Sequence, residues 1–312
     1  MKVQFINANQ AAGMIQDGSN VGLIGGGSGL VEATLLHEYI EKRFLDTGTP
    51  KELTCIHALG IGDREARGMN RFAHKGMVRR VIGGHWVWSP KMQQLARENS
   101  IEAYVLPGGV IMQLMREVAA KRPGLITHVG LGTFVDPLQE GGRMNEAAVD
   151  PLVERITIDG KDYLRYLPIP IDVALLKGSY ADEEGNISLD EEPANLDIYA
   201  MAAAAHNSGG KVIFQVRKKV AAGSIPARSV RIPSAIVDAV VVDPEQRQSY
   251  ELIYDPSISG ERRNETLQQD FPEFSLRLVI ARRAYQELKE GSVINYGFGI
   301  PDQVAAIVAA EK

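Results

Sequence analysis

Short runs of Val, Ile and Leu alternate with amphipathic helical stretches through most of the chain, and many of the joints between them are glycine. Residues 21–24, 53–57, 78–82, 103–106 and 127–130 form the first set of runs, each four or five residues long. Helical periodicity occupies 30–44, 91–99 and 110–122 between them. A short run that is apolar throughout, rather than alternating, is a strand buried on both faces. Strand–helix units of this size stack into a parallel sheet covered on both sides. The pattern predicts an α/β fold with an open, mostly parallel sheet and helices on both faces.

Local signals refine this. Asn7 and Gln10 stand in the capping-box relation ahead of Ala11, Met14 and Ile15, which predicts a helix that Asp17-Gly18 ends. Residues 155–158 and 163–167 flank Asp159-Gly160, a hairpin signal. Further strands are expected at 172–176, 212–216 and 236–242, with a helix at 194–206. Periodicity disappears at 255–274, so the chain divides into an N-terminal domain (1–254), a linker (255–274) and the start of a second, similar domain (275–312). In that last part a helix at 276–288, a strand at 293–296, a glycine turn at 297–301 and a helix carrying Val304, Ile307 and Val308 repeat the opening order. Setting Gly18 on Gly291 places Ser19 on Ser292, Val21 on Ile294 and Val31 on Val304. One strand and two helices cannot close a core. The expectation is that Ile294, Val304, Ile307 and Val308 are covered by further chain or by another subunit.

Several function classes are excluded by what is missing. With 34 Lys+Arg against 39 Asp+Glu there is no basic stripe for nucleic acid. The single cysteine, Cys55, rules out a disulfide framework and multi-cysteine metal sites, and its mid-strand setting reads as an inert buried thiol. His37, His57, His74, His85, His128 and His206 show no ligand spacing, so no metal is expected. No stretch approaches the ~20 apolar residues of a membrane span, and the N-terminus has no signal-peptide core, which predicts a cytoplasmic protein. The Rossmann fingerprint fails because Leu30 follows Gly25 and Gly27, and Asp302 follows Gly297 and Gly299. Leu30 also stands where a nucleophile elbow at Ser28 would need glycine.

Three glycine turns remain: 25–29, Pro107-Gly108-Gly109 and 297–301. Each either lets a ligand approach backbone N–H groups at a helix N-terminus or is a tight connection with no ligand. Arg64, Arg67 and Arg71 either meet phosphate or form a solvated face. Trp86 and Trp88 line a pocket or pack into the core.

Val129-Gly130-Leu131-Gly132-Thr133-Phe134-Val135-Asp136-Pro137, followed by Gly141-Gly142-Arg143-Met144-Asn145, closely resembles a stretch of the family I CoA-transferases. The branch is that of the single-chain acetate, propionate and 3-ketoacid (acetoacyl-CoA) transferases. The glycine loop at 25–29, Gly83-Gly84-His85-Trp86, the helix after Pro107-Gly108, residues 230–233, residues 241–244 and Gly299-Ile300-Pro301 agree with it. The resemblance spans essentially the whole sequence. It implies transfer of CoA between a short-chain acyl-CoA and a carboxylic acid acceptor such as acetate. Coenzyme A is then a substrate, no cofactor is needed, and a cytoplasmic homo-oligomer is implied.

Site residues follow from the same resemblance. Gly26, Gly27, Gly297, Gly299, Ile300 and Pro301 fall on substrate- and CoA-binding turns, and Gly108 and Gly109 on the oxyanion site. The family often has Pro-Gln-Gly where this chain has Pro107-Gly108-Gly109, so a backbone N–H would replace the glutamine. The family's nucleophilic glutamate sits in a Glu-x-Gly-x-x-Gly segment that these residues lack, and is expected beyond Lys312 on a C-terminal domain. An acyl-CoA hydrolase on the same scaffold and a non-catalytic acyl-CoA-binding or regulatory subunit are the alternatives.

Overall fold

A computed structural model describes residues 2–263, 271–297 and 299–311. The middle of the expected linker, 264–270, and Phe298 of the last glycine turn lie outside the described residues. The chain forms two compact units, Met1–Glu261 and Arg262–Lys312.

The first unit is built on strands β1 (Gln4–Ile6), β2 (Asn20–Leu23), β3 (Leu53–His57), β4 (Val78–Gly83) and β5 (Glu102–Val105). After β6 (Leu125–Thr127), β7 (Val153–Ile158) and β8 (Lys161–Tyr166) come β9 (Val173–Asp182), β10 (Ile187–Ser188), β11 (Lys211–Val220), β12 (Val230–Ile232) and β13 (Ala239–Val242). Its helices are α1 (Ala8–Gly13), α2 (Thr34–Thr47), α3 (Pro90–Arg97), α4 (Gly108–Ala119) and α5 (Ile198–Asn207). The main sheet runs β1-β13-β11-β9-β2-β3-β4-β5, and every neighbouring pair along that path is parallel. Short β10 and β12 extend it antiparallel beside β9.

Two cores explain the unbroken apolar runs. Leu53, Cys55, Val81, Val173, Leu175, Ile213 and Val241 face one side, with α1, α2 and α3. Ile56, Ile82, Tyr104, Ala174, Leu176, Phe214 and Val240 face the other, with α4, α5 and the small second sheet. Alternate residues of one strand thus enter different cores, the period-2 geometry of a strand covered on both faces. The expected α/β architecture stands.

The α1 capping box is present: the Gln10 N–H donates to Asn7 Oδ1 at 2.9 Å and the Asn7 N–H to Gln10 Oε1 at 3.0 Å. The hairpin at Asp159-Gly160 joins β7 and β8 with Ile158 opposite Lys161. One strand assignment in this unit changes. The run at 127–130 is not in the main sheet; only Thr127 lies in a strand, as the last residue of β6, which pairs antiparallel with β8, and 128–130 turn away from it. The loop that follows, the most family-like stretch, instead covers edge strand β5. There the Val105 N–H donates to the Gly142 carbonyl and the Met144 N–H to the Ala103 carbonyl, both at 2.9 Å. Blocking an edge strand in this way removes a template for aggregation.

Helix α2 begins at Thr34, not at Leu30. Ser28 and Val31 adopt positive φ (56° and 57°), which takes the chain out of helix before that point. No local side chain caps α2; the Leu35 and Leu36 N–H groups donate to Gln215 Oε1 at 2.9 and 3.5 Å. No helix among the described residues is long and apolar enough to cross a membrane.

The second unit consists of α6 (Leu276–Tyr285) and α7 (Ile300–Ala310). Residues 293–296 have no regular structure and form no strand, because a strand needs a neighbour to take its N–H and C=O groups. Val304 and Ile307 are already buried against Leu278 and Ala281 of α6, contrary to the expectation that only further chain would cover them. Ile294 stays 38% exposed, and Phe274 and Leu276 are 88% and 77% exposed.

Candidate functional site

Because the main sheet is parallel, the carboxyl ends of its strands open at one edge, the position where α/β sheets hold ligands. The loops after β2, β3, β4, β5 and β13 meet there. The Ser28 N–H donates to the Gly62 carbonyl, the Tyr250 N–H to the Ser28 carbonyl, both at 2.8 Å, and the Gly84 N–H to the His57 carbonyl at 3.0 Å.

Glu32 is the centre of this arrangement. It is fully buried. Its Oε1 accepts the Gly29 N–H at 3.3 Å and the Gly62 N–H at 3.1 Å, and its Oε2 accepts the Tyr250 hydroxyl. One carboxyl therefore joins loops that follow three different strands. Burial pushes its pKa up to about 7, offset in part by the hydrogen bonds from Tyr250, Gly62 and Gly29. Burial and the adjacent Glu32 hold the Tyr250 phenol well above its ordinary range.

The glycines near this edge divide by what surrounds them. At Gly84 a Cβ would sit 2.1 Å from the Ala58 oxygen and 2.9 Å from Gly108 Cα, so the ends of β3, β4 and β5 are in backbone contact. Gly27 has φ 79° and lies against the Trp88 ring, where a Cβ would approach Cε2 to 2.6 Å. Gly26 is exposed, and its N–H is held by the Leu30 carbonyl at 2.9 Å. Gly108 and Gly109 open α4, whose start no side chain caps. A Cβ at Gly109 would meet nothing within 4 Å, and its N–H belongs to the first turn of the helix, the positive end.

Gly297, Gly299, Ile300 and Pro301 belong to the second unit. Gly299 precedes α7 and its N–H donates to Asp302 Oδ2 at 2.9 Å; Ile300 and Pro301 form the first turn. This matches the Gly29–Glu32 bond. The repeat therefore aligns Gly27 with Gly297, Gly29 with Gly299 and Glu32 with Asp302, a register three residues away from the one set by Gly18 and Gly291. A carboxylate three residues after the second glycine was the signal that could have singled out Glu32.

Cys55, His57 and Trp86 are buried within the fold. Cys55 is buried and its thiol is pushed up to about 12 by burial. His57 is buried, its Nδ1 lies 2.7 Å from the Leu59 oxygen, and burial lowers its pKa to about 4. Trp86 packs into the core; Trp88 is half-buried, with the Arg64 guanidinium 4.5 Å from its ring centre.

Residues 5–243 match the model of the family described as coenzyme A transferase. The chain is 38% identical to acetate CoA-transferase YdiF of Escherichia coli (strain K12), over 99% of this chain and 59% of that protein. It is 41% identical to caffeate CoA-transferase of Acetobacterium woodii, over 98% of this chain and 59% of the relative. The crystal structure of acyl-CoA transferase YdiF from E. coli O157:H7 in a thioester complex with CoA superposes with a TM-score of 0.92. It shares 39% identity and is matched over 99% of this chain and 59% of that one. The chain thus spans about three fifths of the length of these relatives.

Proposed function

The chain belongs to the coenzyme A transferase family, and from that premise we propose that it forms part of an enzyme moving CoA from a short-chain acyl-CoA to a carboxylic acid such as acetate. The observation that carries the reading is likeness to an acetate and a caffeate CoA-transferase along nearly all of this chain. The thioester complex of a similar protein with CoA supports a covalent route.

In that route a glutamate carboxylate attacks the acyl-CoA carbonyl and the C–S bond breaks, giving an acyl-glutamyl anhydride and CoA thiolate. The thiolate attacks the glutamyl carbonyl, forms a glutamyl-CoA thioester and releases the first acid as its carboxylate. The acceptor carboxylate attacks that thioester, freeing thiolate and forming a second anhydride. Thiolate attack on its acyl carbonyl then releases the new acyl-CoA and the free glutamate. No Glu-x-Gly-x-x-Gly occurs in these residues, so the nucleophile is assigned to the portion of the relatives that this chain does not match. The chain's own contribution is the Gly108 and Gly109 N–H groups, which face negative charge as it develops on the carbonyl oxygen. Gly26 and, in the second unit, Gly297, Gly299, Ile300 and Pro301 are assigned to close approach of substrate or CoA to the backbone, whereas the space beside Gly27 is taken by the Trp88 ring.

Initial rates measured against acyl-CoA at several fixed acceptor concentrations are expected to give parallel double-reciprocal lines; intersecting lines would require a ternary complex instead. Gly109→Val adds a Cβ that would meet nothing within 4 Å. It is expected to lower kcat by roughly tenfold or more with KM little changed; a change in KM alone would move this turn to ground-state binding.

A further inference from the structure

Beside the Glu32 junction lies a cleft lined by Thr34, Glu38, Arg67, Arg71, Arg247 and Tyr250, with a volume of about 470 Å³. Small-molecule clefts run from ~300 to 1,000 Å³. Its charges are unevenly matched. Arg71 is spoken for, 2.5 Å from Glu41 and 3.3 Å from Glu38. Arg67 Nε is 3.8 Å from Asp63 Oδ2, beyond hydrogen-bond distance, while Asp63 Oδ1 accepts the N–H groups of Glu65, Ala66 and Arg67 at 2.8–2.9 Å. The Arg67 guanidinium lies over the Tyr250 ring, 5.0 Å from its centre. Arg247 donates to the Glu251 carbonyl at 2.8 Å and, among the described residues, pairs with no carboxylate. Two guanidinium groups thus border the cleft with donors to spare.

The wall that carries Arg247 and Tyr250 is held firmly. Buried Lys177 donates to the Arg247 carbonyl at 2.7 Å and pairs with Glu192 at 3.2 Å. Gln248 Nε2 donates to the Glu191 carbonyl at 2.7 Å, and Tyr250 is fixed through both its N–H and its hydroxyl. The backbone that carries Arg247 and the Tyr250 ring are thus pre-set and lose little freedom on meeting a ligand.

We propose that this cleft is an oxyanion-binding site in which Arg67 and Arg247 grip the carboxylate or phosphate group of a small molecule above Tyr250. The planar guanidinium fork matches both groups. Glu38, the one carboxylate in the lining, is tied to Arg71, and Arg67 and Arg247 keep donors that their contacts with Asp63 and the Glu251 carbonyl do not use. The site goes beyond the transferase reading and does not depend on it, since binding can be read without turnover.

The test is calorimetric titration of the protein with inorganic phosphate and, separately, with acetate, at constant ionic strength. At least one anion is expected to bind in the millimolar range, and Arg67→Gln with Arg247→Gln is expected to weaken it on the order of tenfold. Tm should be unchanged, because neither side chain is buried. The lysine pair Arg67→Lys with Arg247→Lys keeps the charge but not the fork and should fall between the two. Preference for phosphate assigns the site to a phosphate ester, and preference for acetate assigns it to a free acid. Binding of neither anion, or binding that survives the double glutamine substitution unchanged, overturns the proposal.

Discussion

Glu32→Ala is expected to destabilise the first unit by about 3–4 kcal/mol, because three buried donors lose their acceptor at once. These are the Gly29 and Gly62 N–H groups and the Tyr250 hydroxyl. Glu32→Gln should behave differently: the amide oxygen can accept both N–H groups while Nε2 donates to the Tyr250 oxygen. The two variants also separate on pH. The pKa of Glu32 is raised from 4.5 to about 7 in the folded protein, so between those values the folded state holds a proton that the unfolded chain has lost. The stabilisation from this proton is complete below pH 4.5. It declines as pH rises and is gone above about 7, a fall of about 3 kcal/mol. Urea midpoints from pH 4.5 to 8 should therefore fall more steeply for the native protein than for Glu32→Gln, and Glu32→Ala should be the least stable of the three throughout. If alanine and glutamine were equally stable, this carboxyl would not be what joins the loops.

Gly84→Ala carries the second large effect. The added methyl would meet the Ala58 oxygen and Gly108 Cα, and both are backbone atoms that cannot rotate away. A loss of about 3 kcal/mol is expected, lowering Tm by roughly 6–12 °C in a protein of this size. Gly109→Ala, with open space around it, is the matched control and should change stability by no more than ~0.5 kcal/mol. Equal Tm values for the two variants would mean that the ends of β3, β4 and β5 are not in contact.

The parallel sheet was legible because its strands are buried on both faces, which writes continuous Val and Ile runs into the sequence. The α1 cap and the β7–β8 turn were legible because their partners are three residues apart or fewer. The start of α2 was not, since its cap is Gln215, about 180 residues away. Glu32 was missed for a similar reason: its partner Tyr250 lies 218 residues on, and only the Gly29 bond is local. The strand expected at 293–296 failed because an apolar run shows that burial is wanted without showing that a neighbouring strand exists. The run at 127–130 misled differently: the strand lies earlier, at Leu125–Thr127, and belongs to a small antiparallel sheet. Gly108 and Gly109 were visible as a turn, whereas the contact between Gly108 and Gly84 depends on strand order.

CoA transfer is tested most directly by following the fate of the CoA itself. Enzyme containing this chain is incubated with acetyl-CoA and isotopically labelled propionate, and CoA species and free acids are quantified by mass spectrometry. Labelled propionyl-CoA and free acetate should appear in equal amounts as acetyl-CoA is consumed, with free CoA staying at its background level. Release of free CoA without labelled propionyl-CoA would make the protein a thioester hydrolase, and acetyl-CoA left intact beside every acceptor offered would contradict a catalytic role altogether.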